Sequence, residues 1–183
     1  MTRTSVLAAG VFALSASLTG PALTQHQGHQ QSAPPSAYAG FETRSTKALS
    51  ESQIADLRAG RGMGLALAAE LNGYPGPMHV LELADKLVLT PEQRTRMQGL
   101  IHAMKQETIA IGGEVITAET ALDRLFAEKR VDAASLAKTT KVVAEANGRL
   151  REAHLRYHLD TRAALTLEQV EGYARLRGYA ARP

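Results

Sequence analysis

Residues 97–125 read MQGLIHAMKQETIAIGGEVITAETALDRL, and Met97, Ile101, Met104, Thr108, Ile111, Val115, Ala118, Leu122 and Leu125 fall in them at alternating steps of four and three. That is a heptad seam, one face of a long helix. After Lys129-Arg130-Val131 and a cap at Asp132 the spacing resumes through Leu136, Thr140, Val143, Asn147, Leu150, His154, Tyr157, Thr161 and Ala164. Two long helices joined by so short a loop must run antiparallel. The paper hairpin sets Leu125 against Leu136, Ala118 against Val143, Ile111 against Leu150, Met104 against Tyr157 and Met97 against Ala164. Charge agrees with it, because residues 49–128 carry 7 basic and 11 acidic side chains whereas 129–183 carry 11 and 6. Gly112-Gly113 sits inside the first helix, where each glycine costs about 1 kcal/mol relative to alanine, and a bend is expected there.

Working outward, a local pattern occurs three times: Leu49-Ser50-Glu51-Ser52-Gln53, Leu89-Thr90-Pro91-Glu92-Gln93 and Leu165-Thr166-Leu167-Glu168-Gln169. Each is a capping box, in which the hydroxyl accepts from the backbone three residues on and the Gln reaches back to the cap. Pro91 at the first helical position fits the same reading. The Leu before each cap can staple onto Ile54 or Val170 in the outer copies, while Arg94 breaks that rule in the middle one. The remaining expected elements are a small-residue helix from about Glu51 to Leu71, a Tyr74-Pro75-Gly76-Pro77 turn, a short helix near Met78 to Leu87, and a last helix from Leu167 to about Leu176. No strand is needed. The fold class is all-α: a long antiparallel helical hairpin with shorter flanking helices.

The whole chain has 183 residues, 44% of them hydrophobic, and no Cys, which excludes disulfides and thiolate metal sites. Its formal charge is only +3, with no basic run longer than Lys129-Arg130, so nucleic acid is not a natural partner. Arg3 followed by the uncharged stretch Val6 to Leu18 and the breaker Gly20-Pro21 reads as a secretory signal peptide over residues 1–24. It is too short for a membrane span. Residues 25–48, rich in Gln, Ser, Pro and Ala, read as a disordered leader in which His26 and His29 form at most a loose metal site. The helical domain covers 49–183. The expected location is the periplasm, as a soluble secreted protein with no transmembrane segment in its mature chain.

Catalytic signatures are missing, and the expectation is that the chain is not an enzyme. His154 and His158 stand at helical spacing, but Leu155 occupies the place of a zinc-protease general base. Gly60-Arg61-Gly62-Met63-Gly64 lacks the preceding strand and last Gly of a dinucleotide loop, and serves close packing or a helix bend instead. Two imidazoles one turn apart can share a metal ion. The paper register puts His102 near His158 and Glu107 near His154, which gives a candidate set of His102, His154, His158 and Glu107 suited to zinc, copper, nickel or cobalt. The alternative is that His154 is a seam residue flanked at the surface by His102 and His158. Met78, His79, Met97 and Met104 read as packing residues.

The Leu-Thr-x-x-Gln repeats Leu89, Thr90, Gln93 and Leu165, Thr166, Gln169, flanking a heptad hairpin on a Cys-free chain with a secretion signal, resemble the LTXXQ-motif family of periplasmic helical proteins. The resemblance covers roughly residues 78–180; Ser50 makes the first copy a variant, and the Gly-rich stretch from Gln53 to Asn72 lies outside it. What it implies is a curved hairpin of Spy/CpxP-like architecture, often dimeric and acting without ATP or a required cofactor. Spy/CpxP-like chaperones of the family hold unfolding envelope proteins or restrain a membrane stress sensor, and metal-linked relatives of the ZraP and CnrX type bind zinc, nickel or cobalt. The divided charge departs from the strongly basic chaperone cradle.

Two functions follow. As an envelope-stress holdase, the chain would offer Arg149, Arg151, Arg156 and Arg162 to partly unfolded clients, unless those arginines form a solvated face with i,i+4 pairs such as Glu152 with Arg156. As a heavy-metal sensor or resistance protein, it would use His102, His154, His158 and Glu107, with a membrane regulator as partner. The holdase ranks first and metal sensing close behind. A homodimer is expected under either, to cover Leu65, Leu67, Leu71, Val80 and Leu83.

Overall fold

The computed structural model describes residues 36–179, and these are helical: α1 (Glu51–Arg58), α2 (Leu67–Glu70), α3 (Pro77–Glu82), α4 (Pro91–Ala127), α5 (Ala133–Ala163) and α6 (Leu167–Arg177). Among the described residues the extended pairing is a single bridge between Thr46 and Leu49, and no helix is long and apolar enough to cross a membrane. The signal-peptide reading and His26 and His29 lie outside the described residues.

The capping boxes set the helix starts. Ser50, Thr90 and Thr166 each accept from the backbone N–H of Gln53, Gln93 and Gln169, and each Gln accepts from the cap N–H in return. Asp132 and Ser135 make the same exchange at the start of α5. The second and third boxes also hold each other. Gln93 Nε2 donates to Gln169 Oε1 at 2.8 Å, and Gln169 Nε2 donates to Gln93 Oε1 at 3.0 Å. The same amides donate to Ala164 O and Leu87 O, so a local helix-start signal doubles as the clasp that closes the open end of the hairpin.

α4 and α5 form the antiparallel hairpin. Its buried seam on α4 is Met97, Met104, Thr108, Ile111, Val115 and Ala118, with Ile101, Leu122 and Leu125 partly buried. On α5 the seam differs from the heptad reading: Asn147 is exposed and Ala146 is buried, and Ala153 and His158 are buried beside Leu150, His154, Tyr157 and Thr161. A third layer explains the wider stripe, because α1, α2 and α3 lie against one side of the hairpin and a helix covered by two neighbours buries a broader face. That layer stops short of the tip. From residue 121 to 145 no side chain is buried, and Leu136 stays 37% exposed.

The stretch from Glu51 to Leu71 is not one helix, because Gly60, Met63 and Gly64 all take positive φ and turn the chain between α1 and α2. The helix after the Tyr74–Pro77 turn begins at Pro77 and ends at Glu82. α4 continues through Gly112-Gly113 without a break, and the glycine serves contact: a Cβ at Gly112 would lie 2.5 Å from the carbonyl oxygen of Leu57, so its absence is what lets α1 rest on α4. The leader is also ordered in part. Phe41–Thr43 is a 3-10 turn, Thr46 is buried with its hydroxyl 2.9 Å from that of Thr120, and Lys47 pairs with Asp123 at 3.6 Å.

The core is divided in two. One apolar cluster joins Leu49, Ile54 and Leu57 to Ile111, Val115, Ala146, Leu150 and Ala153. The other joins Val80, Ala84, Leu87 and Leu89 to Met97, Leu165, Val170 and Tyr173. Val80 is 0% exposed, so it needs no second copy to cover it. Full burial of such a side chain is worth about 1.5–3 kcal/mol. The buried polar residues Glu70, Thr108, His154, His158 and Thr161 belong to neither cluster.

Candidate metal-binding pocket

A cavity of about 450 Å³ is lined by His154 and His158 of α5, Met104 of α4, the Gly60–Gly62 loop and the Gly76–His79 segment. Glycines let the chain approach the imidazoles. A Cβ at Gly76 would meet His158 Cε1 at 2.9 Å and Nε2 at 3.0 Å, and one at Gly62 would lie 3.9 Å from His154 Nδ1. A Cβ at Gly60, whose φ is +63°, would lie 2.7 Å from the Thr108 hydroxyl oxygen. The run Gly60 to Gly64 is therefore a covering loop rather than a helix bend.

The two histidines are held differently. His158 Nδ1 lies 2.7 Å from Tyr74 O, and since a carbonyl only accepts, Nδ1 carries a proton and donates it there. This is the usual way in which a metal-binding imidazole is oriented. His154 is 3% exposed and its Nε2 has no hydrogen-bond partner among the described residues. A buried polar atom left so costs about 1–3 kcal/mol and asks for an explanation. Burial foremost, and then the neighbouring His158, push the His154 imidazole below its ordinary pKa, so it is neutral, the form that binds metals.

Behind His158 stands Glu70, itself buried. It accepts from Tyr173 OH in a short hydrogen bond, from Tyr179 OH at 3.2 Å and from Gly76 N–H at 3.1 Å, and it lies 3.7 Å from His158 Nδ1. Burial first, and then the Glu70 hydrogen bond, push the Tyr173 phenol upward, so it stays a donor. Arg177 Nε is 3.8 Å away. α6 is thus tied to the back wall of the pocket. At the rim, Met78 is 40% exposed, and His79 Nδ1 donates to Glu82 at 2.9 Å, which fixes a second imidazole.

The sequence-derived candidates separate. His154 and His158 come together in the pocket, while His102 is exposed on α4 and is not among the lining residues. Glu107 is occupied: Arg156 donates to its two oxygens at 2.5 and 2.6 Å and Tyr157 OH to one of them at 2.8 Å. Among the described residues no three His, Cys, Asp or Glu side chains form a group that could hold a metal ion. Of the four arginines, Arg149 pairs with Glu114 and Arg156 with Glu107 across the hairpin, and Arg156 also approaches Glu152 at 3.8 Å. Arg151 is exposed and Arg162 partly buried. The paired arginines carry the charge complementarity of the two helices.

Sequence reading assigned Met78, His79 and Met104 to packing and passed over Glu70. The adjacent Met78-His79 after a Pro-Gly-Pro turn was the available signal, and only the fold carries it to His154 and His158. A family model described as heavy-metal resistance matches residues 62–172, a span that begins at the loop over His154 and includes every pocket residue from Gly62 onward. No similar curated protein and no similar solved structure was found.

Proposed function

Because the chain belongs to the heavy-metal resistance family, within the LTXXQ group of helical proteins, we propose that it is a periplasmic protein that binds a heavy-metal ion in the His154–His158 pocket and buffers or reports on that ion without catalysis. The observation that carries this reading is the orphaned, buried Nε2 of His154 beside a His158 whose Nδ1 proton is fixed on Tyr74 O. The donors fit a metal: the His154 imidazole is presented as a neutral ligand beside a His158 ring held in place, and an ion held by the two would remove the penalty of the unpartnered nitrogen. His154 and His158 would hold the ion and Glu70 would steady His158. Bound there, the ion would stabilise the fold by mass action. Leu67 and Leu71, 55% and 56% exposed, support a homodimer as the working form.

The holdase reading is the weaker one, since Arg149 and Arg156 are spent on Glu114 and Glu107. Calorimetric titration with zinc, copper, nickel and cobalt, beside a His154→Ala, His158→Ala double variant, tests the proposal. One ion per chain, lost in the variant, is expected. Binding indifferent to both substitutions would refute the site, and suppression of client aggregation would then become the assay of choice.

A further inference from the structure

The chemistry of the cavity says which class of ion it takes. Zinc in protein sites is almost always tetrahedral, and nickel and cobalt are likewise served by nitrogen and oxygen ligands. Here the described carboxylates near the pocket are committed: Glu70 to two tyrosines and a backbone N–H, Glu82 to His79, Asp56 to Arg61. What lines the cavity with the imidazoles instead is methionine.

Met104 is 8% exposed yet belongs to neither apolar cluster, whereas Met97, one heptad earlier, is fully buried inside the second. Met97 only packs, whereas the buried Met104 also lines the cavity together with His154 and His158. Its own turn of helix is fixed, because Thr108 Oγ1 donates to Met104 O at 2.8 Å. Met78 lines the same cavity from α3. Thioether sulfur is a soft, neutral ligand that selects soft ions such as Cu(I).

Charge points the same way. Lys105 and Arg61 line the cavity, and Glu70, the anion nearest His158, already faces Arg177. The cost of burying an ion among neutral ligands rises with the square of its charge, so a divalent ion would meet about four times the penalty of a monovalent one.

We propose that the cavity takes a soft monovalent cation, Cu(I) or its analogue Ag(I), on the His154 and His158 imidazoles and the Met104 thioether, with Met78 covering it at the rim. The inference rests on the metal-binding reading above and narrows it to a class of ion.

The test uses the full chain titrated with Ag(I), which needs no reductant, and with Cu(I) under anaerobic chelator competition, against zinc, nickel and cobalt. Expected is one monovalent ion per chain, bound at least a hundredfold more tightly than any of the divalent ions, with sulfur beside nitrogen in the X-ray absorption spectrum of the bound metal. Met104→Leu, which nearly conserves volume, is expected to cost tenfold or more in Ag(I) affinity, and the exposed Met78→Leu a smaller loss. The spectrum of the unsubstituted protein decides the question even if Met104→Leu is poorly folded. Tighter binding of a divalent ion, or a first shell without sulfur, overturns the soft-ion assignment and leaves the metal-binding reading standing. Failure of every ion to bind overturns both.

Discussion

Gly112 and Gly113 are neighbours in the middle of α4, and the structure gives opposite outcomes for replacing them with alanine. A Cβ at Gly113 meets nothing within 4 Å. Gly113→Ala should therefore return the full helix propensity, about 1 kcal/mol of added stability. A Cβ at Gly112 would sit 2.5 Å from Leu57 O and 3.1 Å from its carbonyl carbon. Those are backbone atoms at the end of α1, and they cannot rotate away as a side-chain tip can. Overpacking of this kind costs about 1–3 kcal/mol, against which the same propensity gain is set. The two variants should thus differ by about 2 kcal/mol, or about 6 °C in melting temperature for a chain of this size. Thermal unfolding followed by circular dichroism measures it. Because Ala59 and Gly60, just beyond Leu57, line the metal-binding cavity, Gly112→Ala should also weaken metal binding while Gly113→Ala leaves it alone. Equal stabilisation by both substitutions would show that α1 does not rest on α4 at this point, and the third layer of the fold would have to be redrawn.

Other expectations concern the pocket and the clasp. Gly76 has φ −84° and ψ 147°, which any residue can adopt, so Gly76→Ala acts through the His158 ring it would strike. Metal affinity should fall about tenfold, equivalent to 1.4 kcal/mol, while the melting temperature moves by only about 3 °C, as calorimetry and thermal scans would record. Gln93→Ala and Gln169→Ala should each destabilise by about 1 kcal/mol or more. A double-mutant cycle should show coupling of about 0.5 kcal/mol or above, and strict additivity would mean that the two amides do not meet. Burial alone would raise the Glu107 carboxyl, but the bonds from Tyr157 and Arg156 outweigh it and hold the group below its usual 4.5. A carboxylate depressed in the folded state contributes stability above its unfolded pKa and loses it as pH falls through the folded one. Acid titration of stability should therefore fall more steeply below about pH 4.5 for the unsubstituted chain than for Glu107→Gln.

Much of the architecture was legible in residue order because its causes are local. A Thr accepting from the N–H three residues on, a Gln reaching back, and an apolar step of four then three are all decided within a turn or two of helix. The α5 seam was misjudged near Asn147 for the opposite reason: which neighbour covers a face depends on a third layer contributed by residues about ninety positions earlier. The Gly-rich stretch after α1 failed similarly. Small residues permit both a helix and a turn, and the choice fell to the turn because Gly60 must lie against Thr108.

The pocket divides along the same line. His154 and His158 could be paired from sequence, since i,i+4 spacing alone puts them on one face of a helix. The capture of Glu107 by Arg156 and Tyr157, by contrast, is a contact across the hairpin that no local spacing encodes.

The sequence by itself determined the capped starts of α1, α4, α5 and α6 and the hairpin, since capping and periodicity act over a few residues. Tertiary structure alone decided that Met104 lines the cavity, that Gly76 and Tyr74 fix His158, and that Glu70 ties α6 behind it. Those partners lie roughly 50 to 110 residues apart in the chain, and only the folding of α1, α2 and α3 onto the hairpin brings them within bonding distance.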